Sequence, residues 1–308
     1  MSLPAAPPHP ERLVFLGTPD TSVVPLRRLV DAGHDVALVV SQPDKRRGRG
    51  GRTSPSPVKQ AALDLGLPVT DAVDDALAVE ADVGVVVAFG RLIRPHVLAE
   101  LPMVNLHFSL LPRWRGAAPV ERAILAGDER TGVDLMVVEE GLDTGGIYDR
   151  VELPIDVDDT ARELRARLAV LGADLLVANI ARGLGEPRPQ QGEPTYAHKI
   201  DVADLAIDWA APAELIHRVV RVGGAWTTHG GGRLKVWRTA LAPEGHERDS
   251  VEVPAGDGAI WLVEVQPEGR RRMSAAAWAN GVAAGVTERL QGLAEPPGLG
   301  AEIRRLQR

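Results

Sequence analysis

Three polar side chains stand where apolar stretches of this chain end. Asn105 and His107 lie at the end of the apolar stretch 103–106, and Asp143 follows a second one at 134–138. Residues i and i+2 of a strand point to the same side, so Asn105 and His107 can converge on one point. An amide and an imidazole can hydrogen-bond an oxygen that becomes negative, and a carboxylate can orient the imidazole or accept a proton. The pattern favours acyl transfer to an amine.

Other reaction classes fit the sequence less well. Ser109 has no partners in a Ser-His-Asp order, so no covalent nucleophile stands out. The chain has no cysteine, which excludes disulfides, iron–sulfur clusters and thiolate zinc sites. Its eight histidines are scattered without a His-Glu-x-x-His pattern, so we expect no metal. Gly17 is the one glycine of its turn, where a dinucleotide fingerprint needs three.

The composition is that of a globular protein with roughly two domains. Of 308 residues, 44% are hydrophobic and 25% charged, and no apolar run is long enough to span a bilayer. Residues 1–10 are Pro-rich and lack the features of a signal peptide. We therefore expect residues 1–10 to form a flexible tail of a cytoplasmic protein without a membrane partner.

The order of elements predicts an α/β fold with a doubly wound, Rossmann-like parallel sheet. Val-rich stretches at 13–16, 36–40, 83–87 and 103–106 are typical of strands covered on both faces, and helical patterns occupy 22–32 and 159–182. Ligands of such sheets bind beyond the carboxyl ends of the strands. We expect a catalytic domain over 11–183, a Gly- and Pro-rich linker over 184–207, and a small OB-like β-barrel over 208–308.

A second candidate site is the basic stretch 45–52. It carries five cations in eight residues, although the chain as a whole has a net charge of −7. Its glycines let backbone approach phosphate, so the stretch is either a solvated surface loop or a probe for RNA. The cations are Lys45, Arg46, Arg47, Arg49 and Arg52.

The site residues resemble the motif of the folate-dependent formyltransferases. The likeness rests on Asn105-x-His107-x-Ser109-Leu110-Leu111-Pro112 with Asp143-Thr144-Gly145, and matching positions run along most of the chain. The longer match over 112–119 is similar to the branch of the family that acts on methionyl-tRNA.

The resemblance implies transfer of a formyl group from 10-formyltetrahydrofolate to the amine of initiator methionyl-tRNA. It implies catalysis by Asn105, His107 and Asp143, with Asp143 orienting His107. It places the folate against Ser109, Leu110, Leu111 and Pro112, and the tRNA against the basic stretch and the C-terminal barrel. We expect a monomer. The alternatives are a formyltransferase for a small amine such as a nucleotide sugar, a non-catalytic RNA-binding module, and a hydrolase that releases formate.

Overall fold

A computed structural model describes residues 3–47, 52–246, 248–282 and 290–291. Its helices are α1 (Val23–Asp31), α2 (Pro57–Asp64), α3 (Pro95–Leu98), α4 (Pro119–Ala126), α5 (Ala161–Arg182), α6 (Ala213–Val222) and α7 (Ala275–Asn280). Its strands are β1 (Arg12–Gly17), β2 (Asp35–Val40), β3 (Lys45–Arg47), β4 (Arg52–Ser54), β5 (Val69–Thr70), β6 (Val83–Val87), β7 (Met103–His107), β8 (Arg115–Gly116), β9 (Arg130–Val137), β10 (Ile147–Pro154), β11 (Tyr196–Ala197), β12 (Trp226–His229), β13 (Gly232–Ala240), β14 (Val251–Ala255), β15 (Gly258–Pro267), β16 (Met273–Ser274) and β17 (Leu290–Gln291).

The first part of the chain forms a seven-stranded sheet in the order β10-β9-β7-β6-β1-β2-β5. The five strands from β7 to β5 are parallel, and the apolar side chains of β7, β6 and β1 are buried, as the Val-rich stretches predict. The Val and Leu side chains of β2 are buried as well, whereas Val69 of β5 is partly exposed. The Rossmann-like α/β fold is thus confirmed. One strand differs from the predicted arrangement, because β9 runs antiparallel to both β7 and β10.

The long helix α5 begins one residue after Thr160, within the stretch that the sequence predicts as helical. Glu163 N–H donates to Thr160 Oγ1, and Glu163 Oε2 accepts from Thr160 N–H. This reciprocal pair is a capping box, which satisfies two backbone donors at the start of the helix. It identifies Thr160 as the N-cap of α5.

The last part of the chain forms an antiparallel sheet in the order β14-β15-β13-β12-β17, with β16 paired to β15. Along β13, Leu234 and Val236 are buried while Arg233 and Lys235 are exposed, as alternation requires. The sequence predicts a barrel here. The structure shows a curled sheet, and among the described residues its edge strands β14 and β17 do not pair with each other.

The chain divides into two compact units at boundaries other than those predicted. The first unit contains 1–119, 130–154 and 165–198, and the second contains 120–129, 155–164 and 199–308. Most of the predicted linker therefore belongs to the first unit. Residues of the predicted tail also make contacts there, because Pro8 C=O accepts from Leu184 N–H and Leu3 packs against a buried apolar cluster.

Candidate active site

His107 is the last residue of β7 and is held from its Nε2 side. The ring is buried, and Nε2 lies 3.0 Å from the carbonyl oxygen of Trp114. A carbonyl can only accept, so Nε2 carries a proton and in the neutral imidazole Nδ1 has the lone pair. Asn105 is on the same face of β7 and is partly exposed, and its side chain makes no hydrogen bond with the described part of the chain. Its amide is therefore available to a ligand.

The path of the chain that brings Asp143 near His107 differs from the one that the sequence predicts. Because β9 is antiparallel, its end at Val137 lies opposite Val104, away from the carboxyl end of β7. The loop 138–146 brings Asp143 back, with its backbone in the left-handed region at φ 51°. Asp143 Oδ2 accepts from Gly116 N–H at 2.7 Å and lies 3.7 Å from His107 Nδ1. The carboxylate is thus near the imidazole without a direct hydrogen bond to it.

The turn 109–112 is stabilised by hydrogen bonds within the protein. The hydroxyl of Ser109 is buried and donates to Arg113 C=O at 2.6 Å. The Leu111 side chain is also buried, and the Leu111–Pro112 peptide is cis. Leu110 and Pro112 keep part of their surface exposed. Of the four residues that the resemblance assigns to folate, these two offer the accessible side chains.

Two charged residues that sequence reasoning missed support this turn. Asp134 is fully buried and forms an ion pair with Arg150, with Nε and Oδ1 2.6 Å apart. Asp134 Oδ2 also accepts from Leu111 N–H, while Arg150 donates to Leu111 C=O. The hydrogen bonds with Asp134 raise the pKa of Arg150. A lone Asp in an apolar strand is the signal that could have identified the pair, since a buried charge needs a partner.

Gln190, in the predicted linker, joins two parts of the site. Its Nε2 donates to Asp143 C=O at 2.8 Å and to Gly145 C=O at 2.9 Å. Its Oε1 accepts from Arg115 Nε at 3.1 Å and from Arg115 Nη2 at 2.6 Å. The loop that carries Asp143 is therefore attached to the segment that follows Trp114.

Thr195, further along the same segment, fixes the backbone around Trp114. Thr195 N–H donates to Pro112 C=O, and Thr195 Oγ1 accepts from Trp114 N–H at 2.9 Å. Trp114 has a left-handed φ of 64°, and Gly116 follows with φ 121°. A Cβ at Gly116 would lie 2.9 Å from Ala197 C=O, so the pairing of β8 with β11 requires glycine there. The carbonyl that binds His107 thus depends on residues 195–197.

A cavity of about 920 Å³ lies beside the Asp143 loop. Such a volume suits a small organic ligand. Arg115, Gln190, Gly141 and Thr144 line it on the side of the site. Glu139, Glu140 and Tyr148 also line it. Apolar and N-terminal residues contribute to the rest of its walls, including Leu98, Met103, Val137, Val138, Leu3, Pro4, Ala5 and Ala6.

Strands β3 and β4, at the two described ends of the basic stretch, pair as a hairpin from Lys45↔Ser54 to Arg47↔Arg52. The side chains of Lys45 and Arg46 are exposed, and Lys45 Nζ donates to Gln42 Oε1 at 2.6 Å. Arg49 lies outside the described residues, as do the side chains of Arg47 and Arg52. Two of the five predicted tRNA contacts are therefore described, and both are accessible.

The outer face of the C-terminal sheet carries a second group of cations, which the sequence argument did not single out. Arg233 lies over the ring of Trp226 at 4.1 Å, and Arg272 lies over Trp237 at 3.4 Å. Lys235 approaches Trp237 at 5.7 Å. We refer to these five residues as the Arg–Trp face. All three cations are exposed on it.

The described residues hold neither a cluster of metal ligands nor a helix that could span a membrane. No three His, Cys, Asp or Glu side chains in these residues are grouped closely enough to hold a metal ion. Within the same residues, no helix is long and apolar enough to cross a membrane.

Two family models match the chain in tandem. The formyl transferase model matches residues 11–180, and the formyl transferase C-terminal domain model matches residues 199–283. The chain is 43% identical over 301 residues to a methionyl-tRNA formyltransferase of Symbiobacterium thermophilum, and the alignment covers 88% of this chain and 92% of the relative. It is 45% identical over 296 residues to a methionyl-tRNA formyltransferase of Roseobacter denitrificans, and this alignment covers 88% of this chain and 96% of the relative.

Solved structures share the fold at lower identity. A methionyl-tRNA formyltransferase from Clostridium thermocellum aligns with a TM-score of 0.57 at 16% identity, over 83% of this chain and 97% of the other. An N-formyltransferase from Helicobacter canadensis, solved with folinic acid and dTDP-3-aminofucose, aligns with a TM-score of 0.64 at 20% identity, over 83% and 98%. At these identities the likeness concerns the fold alone.

Proposed function

The chain belongs to the formyl transferase family, and from that premise we propose that it transfers the formyl group of 10-formyltetrahydrofolate to the α-amine of initiator methionyl-tRNA. The observation that carries the proposal is the grouping of Asn105, His107 and Asp143 at one end of β7. An amide, an imidazole and a carboxylate are the groups that acyl transfer to an amine needs. The similar methionyl-tRNA formyltransferases support the choice of acceptor.

The reaction forms a C–N bond to the α-amine and breaks the bond between the formyl carbon and N10 of the folate. In the proposed mechanism, Asn105 Nδ2 donates to the oxygen that becomes negative. His107 Nδ1 takes the proton that the attacking amine loses, because Nε2 is already protonated and bound to Trp114 C=O. The Asp143 carboxylate, 3.7 Å from Nδ1, stabilises the imidazolium. The proton then passes to N10, and tetrahydrofolate leaves.

We place the folate donor between the turn 109–112 and the cavity beside the Asp143 loop. Leu110 and Pro112 have exposed apolar surface for the donor, while Ser109 and Leu111 shape the turn from inside. The cavity has an apolar side at Leu98 and a polar side at Arg115. A direct comparison of 10-formyltetrahydrofolate with its 5-formyl isomer tests the donor. Equal transfer from both would contradict the proposal that the N10 formyl group is the one transferred.

We assign tRNA binding to the β3–β4 hairpin and to the C-terminal region 208–308, with the Arg–Trp face as its contact surface. Exposed cations attract phosphate, and a guanidinium that lies on a Trp ring keeps its charge and its outward N–H groups. Lys45 and Arg46 on the hairpin are also exposed. The acceptor meets the chain in the cytoplasm, where we place it, and we expect the protein to act as a monomer.

The decisive experiment is a formylation assay with two acceptors, methionyl-tRNA and a nucleotide-sugar amine, with 10-formyltetrahydrofolate as donor. We expect N-formylmethionyl-tRNA to form, and no formylated sugar. Preference for the sugar would contradict the proposed acceptor. Binding of methionyl-tRNA without any transfer would favour a non-catalytic RNA-binding module. Formate released without acceptor would favour a hydrolase.

A further inference from the structure

We propose that Gln190 is a positioning residue for the reaction: it sets the place of Asp143 relative to His107 by joining the Asp143 loop to Arg115. The inference rests on the proposed function and goes beyond the three groups named there. Gln190 lies outside the catalytic stretch, in a region whose sequence predicts only a linker.

The side-chain amide of Gln190 is fully used within the protein. Both N–H groups of its NH₂ donate, to Asp143 C=O and to Gly145 C=O, and Oε1 accepts twice from Arg115. The amide therefore makes four hydrogen bonds. Because the two carbonyls flank Thr144, the amide holds the backbone of the loop at the position of Asp143.

The side chain of Asp143 is bonded to the same segment that Gln190 contacts through Arg115. Asp143 Oδ2 accepts from Gly116 N–H at 2.7 Å, and Gly116 directly follows Arg115. Gln190 thus ties the Asp143 backbone to the segment whose amide binds the Asp143 carboxylate. Since φ of Asp143 is 51°, the loop adopts a conformation that L-residues avoid unless surrounding contacts hold it. Gln190 supplies two of those contacts.

A small displacement of Asp143 would suffice to slow the reaction. Displacing a catalytic group by about 1 Å can cost about 100-fold in rate. Loss of the two N–H donors of Gln190 should therefore lower kcat while leaving the surfaces assigned to tRNA unchanged. We expect kcat to fall at least about 10-fold and KM for methionyl-tRNA to stay within about twofold.

The experiment compares Gln190→Leu and Gln190→Glu with Gln191→Leu in the full chain. Gln190→Leu removes all four hydrogen bonds, whereas Gln190→Glu keeps the acceptor for Arg115 and removes only the donors. Gln191 is the matched control, because it is the adjacent glutamine and its side chain is exposed. Two readouts are needed: steady-state kcat and KM, and the hydrogen-exchange rate of the Gly116 amide in the protein without substrates.

We expect both Gln190 variants to lose kcat and to exchange the Gly116 proton at least about 10-fold faster, with Gln191→Leu unchanged. Unchanged kcat and unchanged exchange in a folded Gln190→Glu variant would overturn the proposal, as would a lower melting temperature with kcat intact. If the parent protein transfers no formyl group, the proposed function fails. The exchange comparison still decides whether Gln190 holds the Asp143 loop.

Discussion

Two regions of this protein use polar side chains in opposite ways. Around His107, side chains that we assign to chemistry or to its support, such as His107, Asp134 and Gln190, are enclosed by hydrogen bonds inside the protein. The Asn105 amide stays available to a ligand. On the Arg–Trp face, Arg233 and Arg272 lie against indole rings and stay exposed to solvent. The first region fixes its groups, and the second leaves its charges exposed, with Arg272 Nη1 also 3.9 Å from Glu264 Oε2.

The contrast has an energetic reason. A buried polar group costs free energy unless it is hydrogen-bonded, and a group fixed before the reaction needs no reorganisation during it. A cation on an aromatic ring gains about 0.5–1 kcal/mol at an exposed site and is not neutralised. Fixed groups suit bond making, whereas exposed cations can adjust to a large polyanion. Four predictions test this division, in order of expected effect.

The largest effect is expected at His107. His107→Ala removes the group that we assign to proton transfer, so kcat should fall about 1000-fold, within the range of general acid–base catalysis. The Kd for methionyl-tRNA, from filter binding, should stay within about twofold. His96→Ala, at an exposed His paired with Asp74, is the control and should leave both constants unchanged. A parallel loss of tRNA affinity would show that the site is not separate from the binding surface.

The next effect is on stability. Arg150→Met leaves the Asp134 carboxylate buried without its ion-pair partner, and we expect the free energy of unfolding to fall by about 3 kcal/mol. The control is Arg130→Met, because Arg130 and Glu152 form an exposed pair on the same two strands, worth at most about 1 kcal/mol. Urea unfolding of both variants measures the difference. Equal losses of unfolding free energy in the two variants would show that burial does not distinguish the Asp134–Arg150 pair from the Arg130–Glu152 pair.

A smaller effect is expected on the Arg–Trp face. Arg233→Gln and Arg272→Gln should each raise KM for methionyl-tRNA about 3- to 10-fold, with kcat unchanged. Each should also reduce the slope of log KM against log salt by about 1, since one phosphate contact is lost. Arg27→Gln, on helix α1, is the control. An unaltered salt slope would remove this face from the tRNA-binding surface.

The smallest effect concerns His217, a buried group of the second unit. His217 Nε2 donates to Val157 C=O, Nδ1 of the neutral ring accepts from Thr239 Oγ1, and burial lowers the pKa of His217. Above about pH 6.5, the ordinary pKa of a histidine, it is neutral in both the folded and the unfolded states. As the pH falls below that value, the unfolded state takes up the proton first, so the free energy of unfolding decreases. Denaturation experiments between pH 7 and pH 5 should show that the free energy of unfolding decreases less in His217→Gln than in the parent protein. An equal decrease in both proteins would exclude His217 as the source of the pH dependence.

The sequence allowed β1, β2, β6, β7 and β9 to be predicted and Asn105, His107 and Asp143 to be chosen as candidates, because apolar stretches and the polar groups after them follow simple rules of position. It did not indicate that β9 is antiparallel, since periodicity carries no direction, so the route of Asp143 to His107 could not be foreseen. Asp134 had a visible signal in its apolar surroundings. Gln190 had none, because a Gly- and Pro-rich stretch is typical of an unconstrained connection, and only tertiary contacts show otherwise.

The contacts of residues 190–197 bear on how relatives of this chain can vary in length. Connections between domains ordinarily accept insertions and deletions with little penalty. Here Gln190 and Thr195 must reach the Asp143 loop and Trp114 at fixed places, so one added residue between them would misplace one of the two. Length changes between Gln190 and Thr195 should therefore be poorly tolerated. A catalytic fragment that is cut at Gly183, the end of the predicted domain, would lack part of its own active site.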